Sequence, residues 1–226
     1  MRALALLALL LAGSVNAAPT CVLIGDSIMS SVYRSAIDGP HGEVKESAPS
    51  IIQNEANVFI RNISSPGASL GSPDATGFGN VKPTLDMIGG MFNYYDCIII
   101  QAGTNDFGRS IRWEDMVSSL REIMDVAKAN NKKVLMTDLI YRSNENQVNS
   151  TSYNMHNYRY LRAVVCNEYA GTCFFASRTG TVFDTYTPEL YDANEIGKNY
   201  ALHLNAAGHR EYANWVISAA KQNNIF

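Results

Sequence analysis

A hydroxyl, a carboxamide and an imidazole occur at widely separated points of this 226-residue chain. Ser27 and Asn105 each lie a few residues after a short apolar run, and His203 lies near the C-terminus. A serine hydroxyl that an imidazole deprotonates can attack an acyl carbonyl, and amide N–H groups can stabilise the negative charge that develops on its oxygen. These side chains could open an ester if the fold brings them together.

Five apolar runs predict the strands that would position them. Each run is rich in Val, Ile, Leu or Phe, as expected for strands covered on both faces. The predicted strands are residues 21–25, 57–61, 96–101, 133–138 and 173–176. Helical patterns alternate with these runs, and the strongest is an apolar stripe from Trp113 to Ala127. Alternating strands and helices predict an α/β protein with a doubly wound sheet, whose site lies beyond the carboxyl ends of the strands.

Three polar segments are predicted to be loops at that same edge. They are residues 64–80, 139–152 and 177–202, and each follows a predicted strand. Because the candidate reactive residues also follow strands, we expect these loops to determine substrate choice.

The charge and composition limit the partners and cofactors. The net charge is −3 and no basic block occurs, which argues against nucleic acid as a partner. The cysteine and histidine spacings do not resemble a zinc site, and we expect neither a metal nor another cofactor. Residues 18–226 contain no linker or repeat and are predicted to form one domain. The sequence does not determine the oligomeric state.

The first 17 residues resemble an export signal. Arg2 precedes the apolar stretch 3–12, and a small-residue cleavage site ends at Ala17. The stretch is shorter than the roughly 20 residues that span a bilayer, so we expect a secreted or periplasmic protein without a stable membrane anchor. Glycosylation sequons begin at Asn62 and Asn149. A glycan on Asn62 would crowd the candidate site, which favours a bacterial protein.

Four cysteines fit an oxidising compartment. Four cysteines permit three pairings. We favour Cys166 with Cys173, which are close in sequence, and Cys21 with Cys97, which both open predicted strands. The alternative is four buried thiols.

Several local roles compete with the catalytic interpretation. Ser27 could simply cap a helix, and Gly67 and Asn105 could be ordinary turn residues. Alternatively, the N–H groups of Ser27 and Gly67 and the amide of Asn105 could all donate to an oxyanion. His203 is the natural base, because an imidazole titrates near neutral pH. Asn205 could cap the final helix and fix His203 ahead of its first turn, whereas His209 is badly placed to assist.

Taken in order, these blocks resemble the SGNH (GDSL-type) hydrolase family. The blocks are Gly25-Asp26-Ser27, the later Gly67, Gly103-Thr104-Asn105-Asp106, and His203. The resemblance spans roughly residues 21–223. It implies a three-layer α/β/α sandwich with a five-stranded, mostly parallel, flavodoxin-like sheet, and ester hydrolysis without metal. It assigns Ser27 as the nucleophile, His203 as the base, and Ser27, Gly67 and Asn105 as the oxyanion donors.

One block departs from the family pattern. The family has Asp three residues before its histidine, and Tyr200 stands there in this chain. Asp192 could orient the imidazole, a backbone carbonyl could do so, or activity could be weak or lost. Asp106, although part of the third block, is interpreted as structural.

The expected function is hydrolysis of acetyl or short acyl esters of a small molecule or glycan, such as an O-acetylated carbohydrate or peptidoglycan. One alternative is a lysophospholipase or thioesterase that acts on longer acyl chains. Another is a non-catalytic glycan-binding protein on the same fold, which the missing Asp would explain. Tyrosines compatible with sugar stacking are Tyr94, Tyr95, Tyr141, Tyr153 and Tyr191, although aromatic residues more often belong to the core.

Overall fold

The structure is a computed structural model that describes residues 17–30, 46–71, 94–193, 195–197 and 201–226. The predicted export signal lies outside these ranges except for Ala17, so it stays a prediction. Within the described ranges, no helix is both long and apolar enough to cross a membrane.

Parallel strands form one sheet in the described part of the chain. The strands are β1 (Thr20–Ile24), β2 (Phe59–Asn62), β3 (Cys97–Ile100), β4 (Lys133–Thr137) and β5 (Cys173–Ala176). Their order is β2-β1-β3-β4-β5, and every neighbouring pair is parallel. The sheet therefore confirms the predicted doubly wound α/β architecture.

The largest shift in a strand start is at β2. The predicted strand starts at residue 57, but Asn57 has a left-handed backbone with φ of 51° and ends the preceding helix. Asn tolerates this conformation better than most residues because its side chain is short and polar. Consequently β2 begins at Phe59.

Helices cover both faces of the sheet. They are α1 (Ala48–Ala56), α2 (Thr104–Gly108), α3 (Trp113–Ala129), α4 (Met155–Glu168) and α5 (Ala206–Gln222), with a 3₁₀ turn at Pro188–Leu190. One apolar cluster contains buried residues of α1 and α5, and a second contains buried residues of α3 and α4. The fold is therefore a three-layer α/β/α sandwich.

Alternation within the strands divides the core between these two clusters. In β1, Leu23 belongs to the cluster with α1 and α5, and Ile24 belongs to the cluster with α3 and α4. In β3, Ile99 and Ile100 divide in the same way. Successive side chains of a strand point to opposite faces, so a strand covered on both sides must be apolar throughout.

Both favoured disulfides are present. Cys21–Cys97 joins β1 to β3 at positions that pair directly across the sheet. Cys166–Cys173 joins the end of α4 to the start of β5. The first bridge links the strand that leads to Ser27 with the strand that leads to Asn105.

Candidate active site

Gly25 allows three loops to meet beyond the sheet edge. A Cβ atom on Gly25 would lie 2.7 Å from Ser64 Oγ and 2.9 Å from Gln101 Oε1. The side chain of Gln101 also accepts a hydrogen bond of 3.1 Å from the N–H of Asp26. The turn that carries Ser27 is therefore packed against the segments that follow β2 and β3, and a larger residue at position 25 would push them apart.

Ser27 and His203 are in hydrogen-bond contact although 176 positions separate them in the chain. The Ser27 Oγ atom lies 2.9 Å from His203 Nε2. Ser27 is buried, with 7% of its surface exposed, so bulk water competes little with this contact. An imidazole placed in this way can accept the hydroxyl proton.

Glu195 orients the imidazole from the opposite side. Its Oε1 atom lies 2.6 Å from His203 Nδ1. Its Oε2 atom accepts hydrogen bonds of 2.9 Å and 2.8 Å from the backbone N–H groups of Leu202 and His203. The carboxylate thus holds both the ring and the backbone of the histidine segment.

Glu195 is none of the three possibilities that the sequence suggested. Asp192 lies beside the same segment, but there its backbone N–H donates to the His203 carbonyl over 2.8 Å. The missing aspartate at position 200 is replaced by an acid eight residues before the histidine. The loop 177–202 contains four acidic residues, and spacing alone does not show which of them reaches the histidine, because the path of the loop cannot be inferred from the sequence.

Hydrogen bonding keeps Glu195 ionised. Burial raises the pKa of its carboxyl group, but the hydrogen bonds and positive charge of His203, with the two backbone N–H groups, lower the pKa below its ordinary value overall. An anion at this position favours a protonated imidazole during proton transfer.

The second and third sequence blocks are tied to each other. Asn105 Nδ2 donates to the Ala68 carbonyl over 3.0 Å. An amide nitrogen carries two hydrogens, so one remains for another acceptor. Gly67, the residue before Ala68, has a positive φ of 75°, which glycine adopts without strain.

Asp106 completes this connection. Its two carboxylate oxygens accept hydrogen bonds of 2.9 Å and 2.7 Å from the N–H groups of Leu70 and Gly71. The side chain is fully buried, and burial raises its pKa to about 6. These contacts agree with the structural interpretation of Asp106, because they join the loop after β2 to α2.

The N-terminal cap of α5 fixes the position of the segment that carries His203. The Asn205 side-chain oxygen accepts from the Gly208 N–H over 3.0 Å, as predicted for a helix cap. Its amide nitrogen donates to the carbonyls of Glu189 and Tyr191 over 2.7 Å and 3.0 Å. Asn205 therefore anchors both α5 and the preceding loop.

Other residues singled out in the sequence take part in hydrogen bonding and packing within the fold. His209 is buried, its Nδ1 atom accepts from the Ala48 N–H over 3.3 Å, and burial together with the charge of His203 lowers its pKa to about 4. The amide nitrogen of Asn62 donates to the Met29 carbonyl over 2.8 Å. Tyr95 and Tyr191 are buried in the core.

The fold and this constellation together define a class of protein, the SGNH-type carboxylic ester hydrolases. The sequence model of the GDSL-like lipase/acylhydrolase family matches residues 23–211. This chain belongs to that family, and the resemblance of its sequence blocks is confirmed. No curated protein sequence matches the chain.

Solved structures share the fold at low sequence identity. The psychrotrophic esterase EstA from Pseudoalteromonas sp. is 14% identical, with a TM-score of 0.63 over 90% of this chain and 97% of that one. An acetyl xylan esterase, AlAXEase, is 13% identical, with a TM-score of 0.59 over 88% and 98%. The salicylyl-acyltransferase SsfX3 has a TM-score of 0.68 at 12% identity, over 94% of this chain and 56% of its own length.

Proposed function

We propose that the protein is an exported esterase that hydrolyses acetyl or other short acyl esters through a covalent acyl-enzyme. Ser27 is the nucleophile, His203 the general base and Glu195 the residue that orients it. The observation that carries this proposal is the continuous chain of contacts from Ser27 Oγ to His203 Nε2, 2.9 Å, and from His203 Nδ1 to Glu195 Oε1, 2.6 Å.

Acylation begins when His203 Nε2 takes the hydroxyl proton as Ser27 Oγ attacks the ester carbonyl. A bond forms between Oγ and the acyl carbon, and the carbonyl oxygen becomes negative. His203 then donates the proton to the leaving alcohol as the carbon–oxygen bond breaks. Glu195 stabilises the imidazolium between these two transfers.

The oxyanion is stabilised by the N–H groups of Ser27 and Gly67 and by the free amide hydrogen of Asn105. Such donors act most strongly when they are fixed before the reaction, since no reorganisation is then needed. The ties of Asn105 to Ala68, and of Asp106 to Leu70 and Gly71, support this assignment because they hold two of the donors in one unit.

Deacylation repeats the sequence with water. His203 removes a proton from a water molecule, which attacks the acyl carbon, and the proton returns to Ser27 as the carboxylic acid leaves.

A carbohydrate or another glycan is the proposed alcohol component. Tyr141 and Tyr186, which follow β4 and β5, are partly exposed and have ring centroids 5.7 Å apart. The Tyr186 ring also packs against Tyr191, with centroids 5.3 Å apart, and the Tyr191 carbonyl accepts from Asn205, two residues after His203. Two disulfides fit an oxidising compartment, and this supports export to the periplasm or the medium.

Kinetics with nitrophenyl acetate and nitrophenyl octanoate test the proposal. We expect the wild type to prefer acetate and Ser27→Ala to lose turnover of both esters while keeping the folded circular-dichroism spectrum. Ser218→Ala, which changes an exposed serine on α5, is the matched control and should retain full activity. A preference for octanoate would favour the lysophospholipase or thioesterase alternative.

A fluorophosphonate probe separates the enzyme from a glycan-binding protein, because only an activated serine is phosphonylated. Labelling of wild type but not of Ser27→Ala is expected. Unlabelled wild-type protein that also lacks esterase activity would contradict the proposal.

A further inference from the structure

Two buried arginines hold the carbonyl groups on either side of Gly103. Arg162, on α4, donates through Nη1 to the Ala102 carbonyl and through Nη2 to the Thr137 carbonyl over 2.7 Å. Arg142, in the loop after β4, donates through Nη1 to the Thr104 carbonyl over 3.0 Å. Asn105 is the next residue of the chain, so both guanidinium groups act on the turn that leads to it.

The backbone of this turn is shaped to admit the guanidinium of Arg162. Gly103 has a φ of 132°, which L side chains rarely adopt, and a Cβ atom there would lie 2.8 Å from Arg162 Nη1. The absence of a side chain at position 103 therefore lets the arginine reach the neighbouring carbonyl.

Arg142 contacts the whole length of α2. Its Cζ atom lies 5.4 Å from the centroid of the Phe107 ring, within the range of a cation–π contact. A Cβ atom on Gly108 would lie 2.9 Å from its Nη1 atom. The hydrogen bond to Thr104, the contact with Phe107 and the close approach to Gly108 place the Arg142 side chain along the short helix that carries Asn105.

Burying the two guanidinium groups costs desolvation free energy, and the negative charge of carboxylates offsets part of that cost. Arg162 is fully buried and Arg142 is 6% exposed. Burial lowers the pKa of both side chains, and the charge of Asp26 opposes this effect at each of them. The charge of Glu195 also raises the pKa of Arg142. The charges of Asp138 and Asp106 also raise the pKa of Arg162. Apolar residues would fill this space at lower desolvation cost, so core packing alone does not account for two guanidinium groups.

We propose that Arg142 and Arg162 are positioning residues that aim the side-chain amide of Asn105 at the developing oxyanion. The inference rests on the proposed function, in which Asn105 is an oxyanion donor. It predicts that removal of either guanidinium lowers kcat mainly through Asn105, so that most of the loss vanishes when Asn105 is already alanine.

A double-mutant cycle between Arg142 and Asn105 tests this. Arg142 is chosen because it makes one hydrogen bond to the turn, whereas loss of Arg162 would leave two core carbonyls without their donor. We expect Asn105→Ala to lower kcat by about 10²-fold to 10³-fold, and Arg142→Met by about 10-fold to 10²-fold with KM nearly unchanged. In the Asn105→Ala background, Arg142→Met should cost less than about threefold, since the group that it positions is already absent.

Conservative replacement gives a second measurement. Arg142→Lys keeps a buried cation that can donate to the Thr104 carbonyl, but it loses the planar contact with Phe107. We expect a loss in kcat of about threefold to tenfold, which again disappears when Asn105 is alanine. If Arg142→Met does not fold, the lysine variant alone carries the cycle.

Arg178→Met is the matched control, because Arg178 is also buried but pairs with Glu145 at 2.8 Å and donates to the Leu139 carbonyl, not to the carbonyls of residues 102 and 104. Its effect on kcat should be the same with and without Asn105, while Tm falls. Equal losses for Arg142→Met in both backgrounds would overturn the inference. An Asn105→Ala variant with unchanged kcat would also overturn it, while inactivity of Ser27→Ala would still support the proposed nucleophile.

Discussion

Glu195 shows how one side chain can replace a missing sequence block. It contacts the imidazole through one oxygen and the backbone of residues 202 and 203 through the other. The orienting role requires an acceptor at Nδ1 and a negative charge, and it does not require aspartate at a set distance along the chain. Glutamate is longer by one methylene group and meets the ring from a different part of the loop.

Glu195→Gln should lower kcat by about 10²-fold to 10⁴-fold and leave KM nearly unchanged. The amide oxygen can accept from the two backbone N–H groups, which turns the NH₂ group towards Nδ1 and favours the tautomer that cannot take the proton of Ser27. Steady-state kinetics on nitrophenyl acetate measure the effect.

Asp192→Asn is the control for Glu195→Gln, because Asp192 is a buried acid of the same loop whose backbone N–H donates to the His203 carbonyl and is kept in the variant. Its kcat should stay within about threefold of wild type. A larger loss of kcat for Asp192→Asn than for Glu195→Gln would show that Glu195 is not the residue that orients the imidazole.

At the scale of elements, the site is built from the ends of strands and the starts of helices. Ser27 follows β1, Asn105 lies in the first turn of α2 after β3, and His203 precedes α5. Helix starts expose free N–H groups, and a parallel sheet brings the carboxyl ends of its strands to one edge. The cap of α5 is therefore expected to affect the proposed base as well as the stability of the helix.

Asn205→Ala should lower the free energy of unfolding by about 1–2 kcal/mol and should also lower kcat. The variant loses the cap on Gly208 and the hydrogen bonds to the Glu189 and Tyr191 carbonyls, which hold the segment of His203. Urea denaturation and steady-state kinetics measure the two effects.

Asn154→Ala provides the comparison, since Asn154 forms the capping box of α4 with Asn157. We expect a similar loss of stability and an unchanged kcat. If both cap variants lowered kcat alike, the effect would reflect global loosening and not the position of His203.

At the scale of the whole molecule, the two disulfides constrain the chain to different extents. Cys21–Cys97 closes a segment with a sequence separation of 76, and Cys166–Cys173 one of 7. Both pairs are buried, so the loss of packing on replacement by alanine is similar. The larger loop loses more conformational entropy when it is closed in the unfolded chain.

The Cys21→Ala/Cys97→Ala variant should lose about 4 kcal/mol of unfolding free energy, and the Cys166→Ala/Cys173→Ala variant about 2 kcal/mol. Urea titrations of the two double variants and the wild type give the comparison. A greater loss for the short loop would mean that native-state contacts dominate over chain entropy.

His209 makes the stability of the whole domain depend on pH. Its pKa in the folded state is about 4, against 6.5 in a free side chain, so unfolding takes up a proton at intermediate pH. The stability that the neutral imidazole contributes is complete above pH 6.5 and is lost as the pH falls through about 4, a change of at most about 3 kcal/mol.

His209→Gln removes this titration while keeping an acceptor for the Ala48 N–H. The difference in unfolding free energy between wild type and variant should therefore fall as the pH is lowered from 6.5 towards 4. Parallel profiles for the two proteins over this range would contradict the assignment of the pH dependence to His209.

Much of this architecture is predictable from the chain because the signals are local. Apolar runs and helical spacing identified the strands, the class of fold and the apolar stripe of α3, since burial on both faces of a sheet demands continuous apolar strands. Motif order likewise indicated Ser27, Gly67, Asn105 and His203. The two cysteine pairs were favoured from their positions in the sequence, but only the sheet order shows that Cys21 and Cys97 lie on neighbouring strands.

Other features emerge only when distant segments pack together. Glu195 reaches His203 because of the path of an irregular loop, and neither periodicity nor spacing encodes such a path. The burial of Arg142 and Arg162 is equally invisible in the sequence, where arginine is normally a surface residue. Residue types and their periodicity are local properties of a chain, whereas the distance between two loop side chains depends on every element packed between them.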